Sequence, residues 1–324
     1  MTNAAYAAYW EGRVRAQQAE MAELTFGVEI ETYALRGTHH AAKVVQAALG
    51  GNAEVYEVGG YYGKWAATDA QGRKWIAMTD GSISGNGGAE VVTPILQGEA
   101  DILLLQVVVR ALRAAGAKSD AAHQCGVHVH VGLQRLDTRA IGRLAKTVAK
   151  YDGFIRKAGN VAPERARWCM PLPAVTTRAL GAARTKRALA LAWYGCDYDA
   201  QQALGYDGHQ DHYHGTRYKG LNLHSYFYKN RGTAEFRYFN GTLHAGVIRA
   251  YVQLALALVA KAKTTTAATM APVPCETRAQ AATALVNLGL TRVGDQDDAY
   301  KTARTHLLAA WGGRTAVRAD RVAA

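Results

Sequence analysis

Apolar and polar residues alternate with a period of two in three separated stretches of the chain. In FGVEIET (26–32), Val28 and Ile30 fall on one side and Glu29 and Glu31 on the other. In GVHVHVGL (126–133), Val127, Val129 and Val131 oppose His128 and His130. In TAEFRYFNG (233–241), Phe236 and Tyr238 oppose Glu235 and Arg237. Neighbouring side chains of a strand point to opposite faces, so each stretch predicts a strand with an apolar side and a polar pair. The full strands are expected over 24–35, 126–133 and 232–242, with others over 53–58, 72–80, 88–96 and 217–227. Helical periodicity marks 40–51, closed by glycines, then 100–116 and 244–263. Residues 1–22 read as a helix rather than a targeting signal, and two helices are expected after a linker at 263–276. The stretch 136–190 is mostly helical by its period and is broken near Pro163, Pro171 and Pro173. GSISGNGG (81–88) and GYDGHQDHYHG (205–215) read as loops. Strands with interspersed helices and no regular βαβ alternation predict an α+β fold with a mostly antiparallel sheet.

The resulting division is a helical extension at 1–22, a main domain at 23–263, and a linker with C-terminal helices at 264–324. Within the main domain, about 134–216 forms a basic, mostly helical insertion. Its charge changes the picture: from Leu133 to Ala188, thirteen Lys and Arg stand against three Asp and Glu. Most of the net charge of +12 therefore sits there, which predicts either an anionic partner, such as nucleotide phosphates, an acidic peptide or nucleic acid, or a solvated helical face. Hydrophobic residues make up 49% of the 324, as expected of a globular chain. The four cysteines are scattered with no C-x-x-C, which suits a reducing, cytoplasmic setting. No membrane span is expected, because the best candidate, YVQLALALVA at 251–260, is too short.

If the alternating strands join one sheet with apolar sides against helices, the opposite face collects Glu29, Glu31, Glu90, His128, His130, Glu235 and Arg237. Two carboxylates two positions apart on a strand lie about 6.6 Å apart and repel by roughly 2.5 kcal/mol at an effective dielectric of 20. One arginine does not neutralise four such groups; divalent cations do. Oxygen-rich donors with one or two imidazoles suit Mg²⁺ or Mn²⁺. Arg237 beside Glu235 would face charge developing on a transferring phosphoryl group. No Walker P-loop, G-x-G-x-x-G, Ser-His-Asp or Cys-His signature is present. Two rival readings stay open. His209, His212 and His214, with Asp211, form an H-x-x-H-x-H loop that suits zinc and a metal-dependent hydrolase. The acid cluster with the basic stretch also suits a nucleic-acid-binding two-metal nuclease, although aromatic residues there are sparse.

Five stretches, in this order, resemble the amidoligase family, a branch of the glutamine synthetase and glutamate–cysteine ligase superfamily. They are FGVEIET, TDGSI with GAEVVTPIL (79–96), CGVHVHVGL (125–133), RYKGLNLHS (217–225) and GTAEFRYFNGTLHAGVIRAYVQLALALV (232–259). The resemblance implies a curved, mostly antiparallel sheet with helices on its outer face. It implies ATP with Mg²⁺ or Mn²⁺ as cofactors, and an amide-forming reaction through an acyl phosphate that releases ADP and phosphate. It implies metal-binding roles for Glu29, Glu31, Glu90, His128 and Glu235, with Asp80 a further candidate. His130, Arg217 and Asn222 would contact phosphates or substrate, and Arg237 would stabilise phosphoryl transfer. The partners would be a small or peptidic carboxylate and an amine, at least one of them anionic. Neither the substrates nor the oligomeric state follows from the sequence.

Overall fold

The computed structural model describes residues 3–50, 53–59, 63–294 and 298–312. Helix α1 (Asn3–Glu23) leads into β1 (Thr25–Thr32) and α2 (Thr38–Leu49). Short strands β2 (Tyr56–Glu57), β3 (Trp65–Thr68), β4 (Lys74–Met78), β5 (Ala89–Val92) and β6 (Leu96–Gln97) precede α3 (Gly98–Ala114) and β7 (Gly126–Gly132). Then come α4 (Thr138–Ala158), a 3-10 turn (Pro163–Trp168), α5 (Ala174–Ala182), α6 (Lys186–Tyr194) and α7 (Asp197–Leu204). A second 3-10 turn (Gly215–Arg217), β8 (Leu221–Asn222), α8 (His224–Phe227) and β9 (Thr233–Asn240) complete the sheet. Helices α9 (Ala245–Thr264), α10 (Arg278–Asn287) and α11 (Lys301–Leu307) follow.

The fold is α+β. Its open sheet runs β2-β3-β4-β5-β1-β7-β9-β8, with β6 joined to the start of β1, and every pairing is antiparallel. The central strands carry the expected apolar face: Val28, Ile30, Val127, Val129, Val131 and Phe236 are buried. Helix α9 packs against this face at β1 and β7, with α1, α3, α4 and α11 around it. By length and composition α9 could cross a membrane, but 83% of its most apolar window is buried inside the protein. Burial of this apolar surface, at roughly 25 cal/mol per Å², is the main force seating the helices on the sheet.

Three local expectations need correction, and one strand was not expected at all. The pattern at 217–227 forms only a two-residue strand. Asn222 turns the chain there: its Oδ1 accepts from His224 N at 2.8 Å, and Ser225 Oγ donates to Asn222 O at 3.0 Å. Side-chain bonds of this kind compete with a sheet ladder. The expected strand at 88–96 is interrupted after Val92. Thr93 Oγ1 accepts from Val28 N at 2.9 Å and donates to Pro94 O at 2.8 Å, replacing ladder bonds with hydroxyl bonds. Strand β3 had no sequence signal: WAAT offers no alternation, and its pairing with β4 defines it. Finally, the uninterrupted alternation expected through Phe236 and Tyr238 is broken, and Phe239 rather than Tyr238 takes the next paired apolar position. A bulge shifts β9 against β7, so Phe236 faces Val129 while Phe239 faces Val127. Phe239 stacks on Tyr251 of α9, and Tyr238 instead donates its hydroxyl to Asp152 of α4 at 2.8 Å.

Candidate functional site

The polar face of the sheet opens into a cleft of about 760 Å³. Register decides its content. Glu29 pairs with His128 across β1 and β7, Glu31 pairs with Glu90 across β1 and β5, and His130 pairs with Glu235 across β7 and β9. Three strands with polar pairs at spacing two therefore place those pairs side by side. Glu29 bridges both histidines, with His128 Nδ1 3.1 Å from Oε2 and His130 Nε2 3.0 Å from Oε1. Glu235 forms an ion pair with Arg237 and accepts from Asn222 Nδ2 at 2.7 Å. His128 Nδ1 lies 3.6 Å from Glu235 and its Nε2 3.9 Å from Glu31. Glu31 accepts from the backbone N–H of Gly126 at 2.5 Å.

Asp80 enters from the glycine-rich loop and is held by its Oδ1, which accepts from Ser82 N at 2.7 Å. Gly87 permits that loop to pass: its φ is 67°, and a β-carbon there would collide with the carbonyl oxygen of Leu35.

Donor atoms fall into three overlapping sets, each within 4.8 Å: Glu29, His130 and Glu235; Glu29, Glu90 and His128; Glu31, Asp80 and Glu90. Carboxylate oxygens dominate, and the imidazoles are in the minority, which fits hard divalent cations such as Mg²⁺ or Mn²⁺. Protonation tells the same story. Burial pushes the Glu90 carboxyl well above its ordinary value, and Glu29, Asp80, Glu31 and Glu235 push it further. Burial likewise raises Glu31, against the pull of His128 and Arg165. At Glu29, burial is outweighed by His130 and His128, which hold it well below the carboxylate range. At Glu235, burial is outweighed by Arg237 and His130, which bring it down to about 2. Burial lowers the His130 value, but Glu29 more than reverses this and raises it.

All of the expected site residues except Asn222 line the cleft or meet within it. Asn222 is buried behind Glu235 and orients that carboxylate. Arg217 lines the cleft, with its Nη1 donating to His212 O at 2.9 Å and its guanidinium over the rings of Tyr213 and Tyr218. His130 belongs to a donor set as fully as His128 does.

Sequence reasoning missed Arg165. This guanidinium, 2% exposed, arrives from the 3-10 turn Pro163–Trp168, and its Nη2 lies 3.3 Å from His128 Nε2. The same Nη2 donates to Arg237 O at 3.1 Å, while Nε has no hydrogen-bond partner. Lys64, Arg231 and His212 also line the cleft without having been expected there. Only the charge of the basic stretch hinted at Arg165; His212 stood in the histidine-rich loop motif but was expected in another site, and Lys64 and Arg231 carry no motif.

The trio His209, His212 and His214 does not form one site. His212 turns into the cleft, whereas His209 and His214 face Asp199.

An antiparallel sheet thus carries a cleft in which acids, imidazoles and guanidiniums converge, with donor sets that could hold metal ions. The family described as "putative amidoligase enzyme" matches residues 22–259, and the chain belongs to this amidoligase family. Its general class is therefore that of a ligase. No curated protein matches the sequence.

Proposed function

We propose that the protein is an ATP-dependent carboxylate–amine ligase that forms an amide through an acyl phosphate and releases ADP and phosphate. The observation that carries this reading is the convergence of Glu29, Glu31, Asp80, Glu90, Glu235, His128 and His130 with Arg237 in one cleft of an amidoligase. A carboxylate oxygen of one substrate attacks the terminal phosphorus of ATP, and ADP leaves. The amine nitrogen of the second substrate then attacks the acyl carbon, phosphate leaves, and the nitrogen loses a proton. Divalent cations held by Glu29, Glu31, Glu90, His128 and Glu235 would offset the negative charge of the phosphates. Arg237, fixed by Glu235, presents its guanidinium to the phosphoryl oxygens as charge builds. No covalent protein nucleophile is needed; the chain positions three mutually repelling groups.

Lys64, Arg165, Arg217, Arg231 and Arg237 line the same cleft, which favours a substrate carrying negative charge beyond the reacting carboxylate. We assign the partners accordingly to an anionic carboxylate or short acidic peptide and a small amine, in the cytoplasm.

The test is an ADP and phosphate release screen over amino acids, peptides and polyamines with Mg²⁺ or Mn²⁺, followed by mass spectrometry of products. Glu235→Gln and His128→Ala should remain folded and lose turnover by a factor of at least about 10². Pyrophosphate and AMP as products, or wild-type turnover in both variants, would overturn the proposal.

A further inference from the structure

The His-rich loop lies outside the cleft chemistry and forms a cluster of its own. At the start of α7, Asp199 directs both carboxylate oxygens at histidines of the returning loop. His209 Nε2 is 3.2 Å from Oδ1 and His214 Nε2 is 3.3 Å from Oδ2. One donor atom of each of the three residues lies within 4.8 Å of the others. The thiol of Cys196, three residues before Asp199, lies outside that set but donates to Oδ2 at 3.0 Å, so a turn of its exposed side chain would bring it to the same point. Among the described residues this is the only set of three candidate ligands outside the cleft.

We propose that Asp199, His209 and His214 bind a transition metal of the Zn²⁺ class, with Cys196 as the fourth donor. Two imidazoles, one carboxylate and one thiolate match tetrahedral zinc, unlike the oxygen-rich cleft. His209 is buried and stacked on Tyr194, whereas Cys196 is exposed, so the metal has a rigid side and an open side. His224 is excluded as a ligand: Tyr194 donates to its Nδ1 at 2.7 Å, and its Nε2 donates to Asp211 O at 2.8 Å.

Binding moves the ring protons off Nε2. At His214, the long 3.3 Å bond from Thr216 N to Nδ1 is given up, and Thr216 Oγ1, 2.9 Å from Nδ1, accepts a hydrogen bond from the relocated N–H. At His209, the long 3.2 Å bond from Asp211 N to Nδ1 is given up, and Cys196 releases its thiol proton to solvent. The metal would tie α7 to loop 205–217, which carries His212, Tyr213 and Arg217 to the cleft wall.

This inference does not depend on the ligase reading, and its test does not involve turnover. Full-length protein stripped with chelator, loaded with Zn²⁺ and dialysed should retain about one zinc per chain by elemental analysis. Asp199→Asn and His214→Ala, confirmed folded by circular dichroism, should retain below about 0.2, whereas Glu235→Gln should retain the wild-type amount. Cobalt-loaded protein should show a thiolate charge-transfer band that Cys196→Ser lacks. Absence of retained zinc in the wild type, or its loss in Glu235→Gln but not in His214→Ala, overturns the site. An unchanged cobalt spectrum in Cys196→Ser overturns the fourth donor.

Discussion

Replacing Gly126 with alanine tests where the Arg165 guanidinium lies. A β-carbon on Gly126 would stand 2.5 Å from both Cζ and Nη2 of Arg165. The backbone cannot yield easily, because Gly126 sits in β7 and its N–H is bonded to Glu31. Arg165 is too buried to swing into open solvent without breaking its contacts to Arg237 O and His128. Overpacking of this kind costs about 1–3 kcal/mol. For a chain of 324 residues, the unfolding entropy is about 0.7 kcal/mol per degree, so Tm should fall by about 1.5–4 °C. The informative comparison is a double-mutant cycle by differential scanning calorimetry. In an Arg165→Ala background the obstruction is gone, and Gly126→Ala should shift Tm by less than about 1 °C. Equal shifts in both backgrounds would show that the Arg165 guanidinium does not lie against Gly126 beside His128, and its placement in the site would fail.

Three other outcomes follow from the same geometry. Asn222→Ala leaves one Glu235 oxygen without its donor and frees the turn at His224, so it should cost about 1–3 kcal/mol in denaturant unfolding; a loss under about 0.5 kcal/mol would deny Asn222 its orienting role. In metal-free protein, the raised Glu90 value means that this group's stabilising contribution is full below the ordinary carboxylate range and is lost as pH rises through its folded value. Glu90→Gln should therefore gain in Tm relative to wild type as pH climbs from about 5 to 8 in chelator, and a pH-independent gap would contradict it. Saturating Mg²⁺ at about 100 times its dissociation constant should stabilise by about 2.7 kcal/mol, or about 4 °C for this chain length; a Tm indifferent to Mg²⁺ and Mn²⁺ would remove divalent cations from the cleft.

How much of this was legible follows from which features obey a fixed period. Glu29, Glu31, His128 and His130 could be placed on one face because β1 and β7 are regular, and spacing two then means one side. Glu90 was identifiable as an acid within an apolar strand, although its pairing with Glu31 required the register. The bulge in β9 left only a faint trace, the break in alternation at Tyr238 and Phe239, and the pairing with β7 is what shows the extra residue. Arg165 was hidden for a different reason. It reaches the site from a 3-10 turn in a stretch where thirteen cations look alike, and a neighbouring glycine without a side chain makes its place. In loop 205–217 no period applies. Sequence proximity suggested His212 as a partner of His209 and His214, but the chain sends it to the opposite side, and Asp199 takes its place from α7.

The two buried arginines divide the acid cluster into unequal halves. Arg237 pairs directly with Glu235, and His130, its value raised by Glu29, pairs with that carboxylate, so that side is charge-compensated by the chain itself. Arg165 makes no ion pair with a carboxylate within 4 Å among the described residues; it acts on Glu31 at longer range while donating to His128 and to a backbone carbonyl. Glu31, Asp80 and Glu90 therefore converge with no cation in contact. Carboxylates at most 4.8 Å apart repel by at least about 3.5 kcal/mol per pair at an effective dielectric of 20. Protonation of Glu90 relieves that repulsion in the absence of ligand, and a divalent cation bound there would relieve it more completely because it would meet all three carboxylates at once. The demand for metal is thus greatest beside Asp80, farthest along the sheet from Arg237. A first equivalent of Mn²⁺, followed by paramagnetic broadening, should accordingly be lost in Asp80→Asn and retained in Asn222→Ala; the reverse order would place the strongest site at the Glu235 end.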